Sequence, residues 1–222
     1  MSMTYVIPDL HGRSDLLALA LERIDAHAAG NAATLVVLGD YVDKGPDSRG
    51  VIARLRAAMP TLRRTAMLKG NHDALMVAAL RGDIAMDDWL AKGGDVALAS
   101  YGGDAAEVPM HDIAWLDGRP LFFEDAHRIY VHAGVDPALP LRRQQPLVLL
   151  TKRYADDDDS GLGGKYVVHG HDKHSDGPLV LANRCNLDTN AWKTGRLVIG
   201  AFDDDTPGGP IEVLKVDLPF TR

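Results

Sequence analysis

Three times in the first third of the chain, a short apolar run stops at a knot of acidic, amide or imidazole residues and gives way to a helical repeat. Residues 5–8 end at Asp9-Leu10-His11-Gly12, residues 35–38 at Gly39-Asp40, and residues 66–68 at Gly70-Asn71-His72-Asp73. Behind the first knot, Leu16, Leu17, Ala20, Leu21 and Ile24 recur at helical spacing, with Ser14 expected as N-cap. Val51, Ile52 and Leu55 predict a second helix, and Leu75, Met76 and Ala79 a third. A strand, loop and helix repeated in this way predict an α/β sandwich-like fold.

The remainder reads in two parts. Residues 83–117 are expected to be helical, with Trp89, Leu90, Val96 and Leu98 in the core. Beyond them the pattern turns to strands. Residues 121–123 and 129–131 form an expected hairpin, and further strands are expected at 166–168, 179–181, 197–201 and 211–216. Pro207-Gly208-Gly209-Pro210 is a strong turn before the last of them. No Pro/Gly/Ser-rich stretch divides the 222 residues, so one domain over 1–222 is expected.

Charge limits the partners. With 24 basic and 31 acidic residues, the net charge of −7 repels phosphate backbones and argues against general nucleic-acid binding. A locally positive site remains compatible with that total, because bound divalent cations lie outside it. No run approaches the ~20 apolar residues that span a bilayer. The first ten residues lack the basic-then-apolar pattern of a secretion signal, so a cytoplasmic location is expected. The single cysteine, Cys185, excludes an intrachain disulfide and reads as a small buried apolar side chain.

The chemistry is expected where polar residues follow strands. Asp9 and His11, Asp40 and Asp43, Asn71 and His72, His132, and His169 and His171 all do so. Ligands in open α/β sheets bind beyond the carboxyl ends of strands, so neighbouring strands would gather these groups on one rim. Carboxylates packed there without cations repel one another and force their pKa values apart. A mixed carboxylate and imidazole set suits Mn, Fe or Zn. His27, His111 and His127 stand outside the pattern and read as surface or hydrogen-bonding residues, with His174 closer to a site loop. The acidic runs 156–159 and 203–205 read as solvated loops.

These motifs resemble the phosphoprotein phosphatase branch of the calcineurin-like metallophosphoesterases, its small bacterial and phage members above all. Asp9-Leu10-His11-Gly12, Gly39-Asp40-Tyr41-Val42-Asp43-Lys44-Gly45, Gly70-Asn71-His72-Asp73, His132-Ala133-Gly134 and His169-Gly170-His171 occur in that family's order. The resemblance implies a metallophosphoesterase-type β-sandwich with mixed sheets flanked by helices. It implies two divalent metals, Mn2+ first and Fe or Zn as alternatives. Asp9, His11 and Asp40 would hold one metal, with Asp40 bridging to a second held by Asn71, His132 and His171. Asp43 and His72 would form the catalytic pair, and Lys44 and Arg153 would bind phosphate. Lys44 and Lys69 stand where the family commonly has arginine, Thr151 where it has tryptophan and Pro8 where it has glycine. Asp188, in a late Asn-Leu-Asp-Thr segment, is expected to stabilise a turn.

The implied reaction is phosphoester hydrolysis by water activated at the metals. The first substrate expectation is a phosphomonoester, including phosphoserine or phosphothreonine in proteins. The second is a dinucleoside polyphosphate such as diadenosine tetraphosphate. A non-catalytic binding protein on this fold would be expected to lose ligands or the catalytic pair, and every position here is filled.

Overall fold

The computed structural model describes residues 2–58 and 64–218. Two five-stranded sheets form its centre. The first contains β1 (Met3–Ile7), β2 (Ala33–Val37), β3 (Arg64–Met67), β9 (Arg196–Asp203) and β10 (Glu212–Asp217) in the order β10-β9-β1-β2-β3. The second contains β4 (Phe122–Glu124), β5 (Arg128–Val131), β6 (Tyr166–His169), β7 (Leu179–Val180) and β8 (Arg184–Asn186) in the order β4-β5-β6-β8-β7. Both sheets are mixed. β1, β2 and β3 run parallel, as do β5, β6 and β8, and the remaining strands are antiparallel.

Strand alternation explains the layers, because successive side chains face opposite sides of a sheet. Tyr5, Ile7, Leu35 and Val37 join the cluster under the helices. Their neighbours Val6, Val36 and Leu38 meet Tyr130, Tyr166, Val168 and Phe202 in the core between the sheets. With both faces covered, the parallel strands bury nearly every residue. Cys185 lies in this inter-sheet core, fully buried, and burial pushes its thiol up to about 12.

α1 (Ser14–Ala28) and α2 (Ser48–Ala58) cross over between the parallel strands β1, β2 and β3, and α3 (Asn71–Arg81) follows β3. The expected cap at Ser14 is not formed. Ser14 is the first helical residue, and its hydroxyl donates to Asp47 instead. The expected helical stretch from 83 to 117 is broken into α4 (Met86–Trp89), a π-turn at Leu90–Gly94, α5 (Asp95–Ser100), a 3₁₀ turn at Ala105–Glu107 and α6 (Met110–Asp117). The left-handed backbone of Gly93, Gly102 and Gly103, together with Pro109, accounts for the breaks. Ala97, not Val96, is the buried residue of α5. The remaining helices are α7 (Pro146–Thr151) and α8 (Ala191–Thr194). Among the described residues, no helix is long and apolar enough to cross a membrane.

Candidate active site

Each sheet delivers ligands from the carboxyl ends of its parallel strands, and the two sets meet. β1 leads to Asp9 and His11, β2 to Asp40 and Asp43, and β3 to Asn71 and His72. β5 leads to His132 and β6 to His171. Asp40 sits where the sets join. Its Oδ2 is 3.3 Å from His11 Nε2 and its Oδ1 is 3.5 Å from His132 Nε2. Two donor groups share this carboxylate: His11, Asp40 and His72, and Asp40, His132 and His171.

Backbone contacts fix the imidazoles for this task. His11 Nδ1 donates to Val42 O at 2.8 Å, and His132 Nδ1 donates to Leu38 O at 3.1 Å. A neutral ring protonated at Nδ1 presents an unprotonated Nε2. The Nε2 lone pairs therefore face carboxylate oxygens, and that of His132 also faces Asn71 Oδ1 at 2.9 Å. Electron-rich atoms aimed at one another fit shared cations, since ligands bound at about 2.1 Å and right angles lie about 3 Å apart. A positive group already occupies this environment: Lys44 Nζ donates to His11 Nε2 at 2.8 Å.

The electrostatics agree. Burial, with repulsion from Asp188 and Asp40, pushes Asp9 well above the ordinary carboxylate range. Burial acts on Asp40 in the same direction, but the surrounding His132, His72, His11 and Lys44 outweigh it and hold Asp40 low. Burial, assisted by His132, lowers His171 to about 3, and burial also lowers His11 and His132. Burial thus favours the neutral form of these rings, the form that binds metals. The donor set fits two divalent cations.

Asp43 and His72 form a separate pair. His72 Nδ1 is 2.6 Å from Asp43 Oδ2, and Trp89 donates Nε1–H to Asp43 Oδ1 at 2.9 Å. Trp89, expected only as core, therefore also fixes this carboxylate. A further role was missed at Asp73, which closes the third motif. Its carboxylate accepts backbone N–H groups from Asp40, Tyr41 and Gly70 at 2.8, 2.9 and 2.8 Å, binding the second motif to the third. Gly70 is required at that junction, because a Cβ there would collide with the Asp40 carboxylate and backbone.

A cavity of about 530 Å³ opens over the centre and is bordered by Lys44 and Arg153 among others. Arg153 is largely exposed and pairs with Asp172 at 2.9 Å. Lys69 points elsewhere and binds Asp117 at 3.2 Å. Asp188 takes the expected turn role, accepting Asn190 N–H at 2.7 Å. It is also buried near the centre. Burial, together with Asp40, raises it to about 6 despite the bond from Asn190. His174 donates its backbone N–H to Asp188 O and lies 3.7 Å from Asp156, outside the cavity lining. His27 contacts Tyr5 and Glu212, and His111 lies against Asp112.

Five of the seven non-glycine residues with positive φ among those described belong to this site: His11, Asp40, Asp43, Lys44 and His171. Such left-handed backbone typically costs on the order of 1 kcal/mol or more per residue, and it clusters where function constrains the chain.

A centre of paired imidazoles about a shared carboxylate, set at the strand ends of two facing sheets, defines a metallophosphoesterase. The chain belongs to the calcineurin-like phosphoesterase family, whose sequence signature matches residues 3–192. It is 35% identical over 137 residues to a symmetrical bis(5'-nucleosyl)-tetraphosphatase of Janthinobacterium sp. (strain Marseille), covering 60% of this chain and 44% of that protein. It is 32% identical over 161 residues to the like-named protein of Glaesserella parasuis serovar 5, covering 69% and 54%. The chain thus spans about half the length of the curated relatives it matches. A crystal structure described as a candidate diadenosine tetraphosphatase superimposes with a TM-score of 0.69 at 25% identity, over 97% of this chain and 93% of that one. A Sphaerobacter thermophilus metallophosphoesterase shares the fold, with a TM-score of 0.60 at 17% identity, over 97% and 88%.

Proposed function

We propose that the chain hydrolyses dinucleoside polyphosphates at a phosphoanhydride bond, as the names of its tetraphosphatase relatives suggest. The observation that carries the reading is Asp40, whose two oxygens face two unprotonated imidazole nitrogens on a cavity bordered by Lys44 and Arg153. The phosphomonoester reading, phosphoserine and phosphothreonine included, came first from the sequence. The relatives favour the anhydride substrate over it.

Asp9, His11 and Asp40 would hold one divalent ion, and Asp40, Asn71, His132 and His171 a second. Mn2+ is the proposed native metal, with Fe and Zn as alternatives. When bound, such a pair supplies Lewis acidity and lowers the pKa of water. The chain's own residues then orient and neutralise. Lys44 Nζ, held at the centre beside His11, balances negative charge on the phosphoryl oxygens as it grows. His72, fixed through Nδ1 by Asp43, delivers a proton to the departing oxygen. Asp73 holds the two ligand loops in register and limits movement of Asp40. Symmetrical cleavage of a tetraphosphate bridge consumes one water and yields two diphosphates.

The test is a substrate panel after reconstitution with Mn2+, Fe2+ or Zn2+, comparing diadenosine tetraphosphate, a phosphoserine peptide and a cyclic nucleotide. The expected result is highest kcat/KM on the tetraphosphate, with diphosphate as product. Preference for the phosphopeptide would reverse the assignment.

A further inference from the structure

The cavity carries more positive charge than a single phosphoryl group requires. Besides Lys44 and Arg153, its border includes Lys92 and Lys173, in a protein whose net charge is −7. Lys44 is engaged with His11 and Arg153 with Asp172. Lys92 and Lys173 are exposed, and neither forms an ion pair with a described residue.

Both lysines are carried by segments tied to the centre. Lys92 lies in the π-turn Leu90–Gly94. Gly93 has φ +100°, its carbonyl accepts Lys44 N–H at 3.1 Å, and a Cβ on it would come within 2.9 Å of Lys44 N. The missing side chain lets the turn seat directly on the Lys44 backbone and brings Lys92 to the cavity. Lys173 follows His171, whose N–H donates to Asp9 at 3.1 Å, and Asp172, whose carboxylate takes Arg153 at 2.9 Å and Tyr154 N–H at 3.1 Å. Neither lysine depends on a free loop for its position.

The rest of the border is informative too. Among the described residues lining the cavity there is no phenylalanine, tyrosine or tryptophan, and Leu75 is the one large aliphatic side chain. Bases are commonly held by stacking on such rings. The lining therefore offers charge for a phosphate chain and little for a nucleoside.

We propose that Lys92 and Lys173 form a subsite for the phosphates beyond the scissile bond, and that the site recognises a linear polyphosphate chain without requiring a nucleoside. This rests on the anhydride-hydrolase reading and names its substrate class: inorganic tripolyphosphate and tetrapolyphosphate, and nucleoside tetraphosphates, alongside dinucleoside forms. The step is the same for each. One P–O bond to the bridging oxygen breaks, one P–O bond to the oxygen of water forms, and the hydrogens of water are shared between the two phosphate products or released.

The experiment measures kcat and KM of the metal-reconstituted full chain on diadenosine tetraphosphate, inorganic tetrapolyphosphate and nitrophenyl phosphate. It compares wild type with Lys92→Ala, Lys173→Ala, the double variant, and the charge-keeping Lys92→Arg and Lys173→Arg. Wild type is expected to cleave tetrapolyphosphate with kcat/KM within about tenfold of its value on the dinucleotide. Each alanine variant should raise KM for tetrapolyphosphate about threefold to tenfold, lowering its kcat/KM relative to nitrophenyl phosphate, and the arginine variants should restore the ratio. Raised ionic strength should increase the wild-type KM for tetrapolyphosphate and flatten the difference from the double variant. Cleavage of the dinucleotide without cleavage of tetrapolyphosphate would overturn this inference while leaving the proposed function standing. Equal losses on all three substrates in the alanine variants would also overturn it. A wild type active on none of them would remove both readings.

Discussion

Asp43 holds His72 at 2.6 Å through one carboxylate oxygen while the other receives the Trp89 indole N–H at 2.9 Å. The carboxylate is buried, with both oxygens occupied, so the His72 ring has a fixed direction. Burial raises Asp43 above the ordinary carboxylate value, against the lowering contacts from His72 and Trp89.

If His72 supplies a proton, its loss should cost more for leaving groups that need one more. General acid catalysis is typically worth about 10²–10⁴-fold. His72→Asn should lose about that much on an alkyl phosphate, whose leaving oxygen is strongly basic. It should lose less on diadenosine tetraphosphate or nitrophenyl phosphate, whose leaving groups ionise more readily. Adding Asp43→Asn should reduce activity little further, because groups acting as one unit are not additive. Paired kinetics with metal analysis check this, and equal losses across all leaving groups would count against the role.

Trp89→Phe should keep an aromatic ring in the core, at some loss of volume, while leaving a buried carboxylate oxygen without its donor. The cost should be about 1–3 kcal/mol of unfolding free energy, read from denaturant midpoints. The same variant should reduce kcat more than it raises KM, since it loosens His72 rather than a phosphate contact.

Metal should stabilise the fold, because the first sheet supplies Asp9, His11, Asp40 and Asn71 and the second supplies His132 and His171. Saturation at a hundred times Kd contributes about 2.7 kcal/mol, or roughly 5–10 °C in Tm for a chain of this size. Chelation should reverse the shift. Asp40→Asn should abolish most of it, because a shared carboxylate serves both positions. Full occupancy of both positions in Asp40→Asn would exclude the bridging assignment.

Lys44→Ala should raise KM for phosphate substrates while metal content is retained. Lys44→Arg should bind at least as well, because a guanidinium can grip two oxygens. Unchanged kinetics in Lys44→Ala would place the residue outside substrate contact.

Polar residues that follow strands made the candidate rim legible, because strand ends of one sheet are neighbours; their division between two metal positions came only from the family resemblance. Asp9, Asp40 and Asn71 follow from that rule within the first sheet, whereas their meeting with His132 and His171 of the second sheet shows only in the structure. Lys92 and Lys173 were invisible to that rule. Lys92 reaches the cavity through a π-turn that interrupts what the apolar spacing reads as helix, and Gly93 is intelligible only once Lys44 is seen against it. Asp73 reads as one more acidic motif residue, whereas its three backbone partners belong to two separate loops. Ser14 was misassigned because a polar residue ahead of a helix suits a cap, and Asp47, far off in sequence, took its hydroxyl.

The left-handed backbone at His11, Asp40, Asp43, Lys44 and His171 has a consequence for how copies of this chain diverge. At each position glycine would relieve the conformational cost and the proposed site would lose a side chain. Selection for the reaction and selection for stability therefore pull in opposite directions at the same codons. A lineage freed from the reaction would be expected to accumulate glycine or asparagine at 11, 40, 43, 44 and 171 before its core changed. Those positions would then serve as a sequence marker separating working descendants from retired ones.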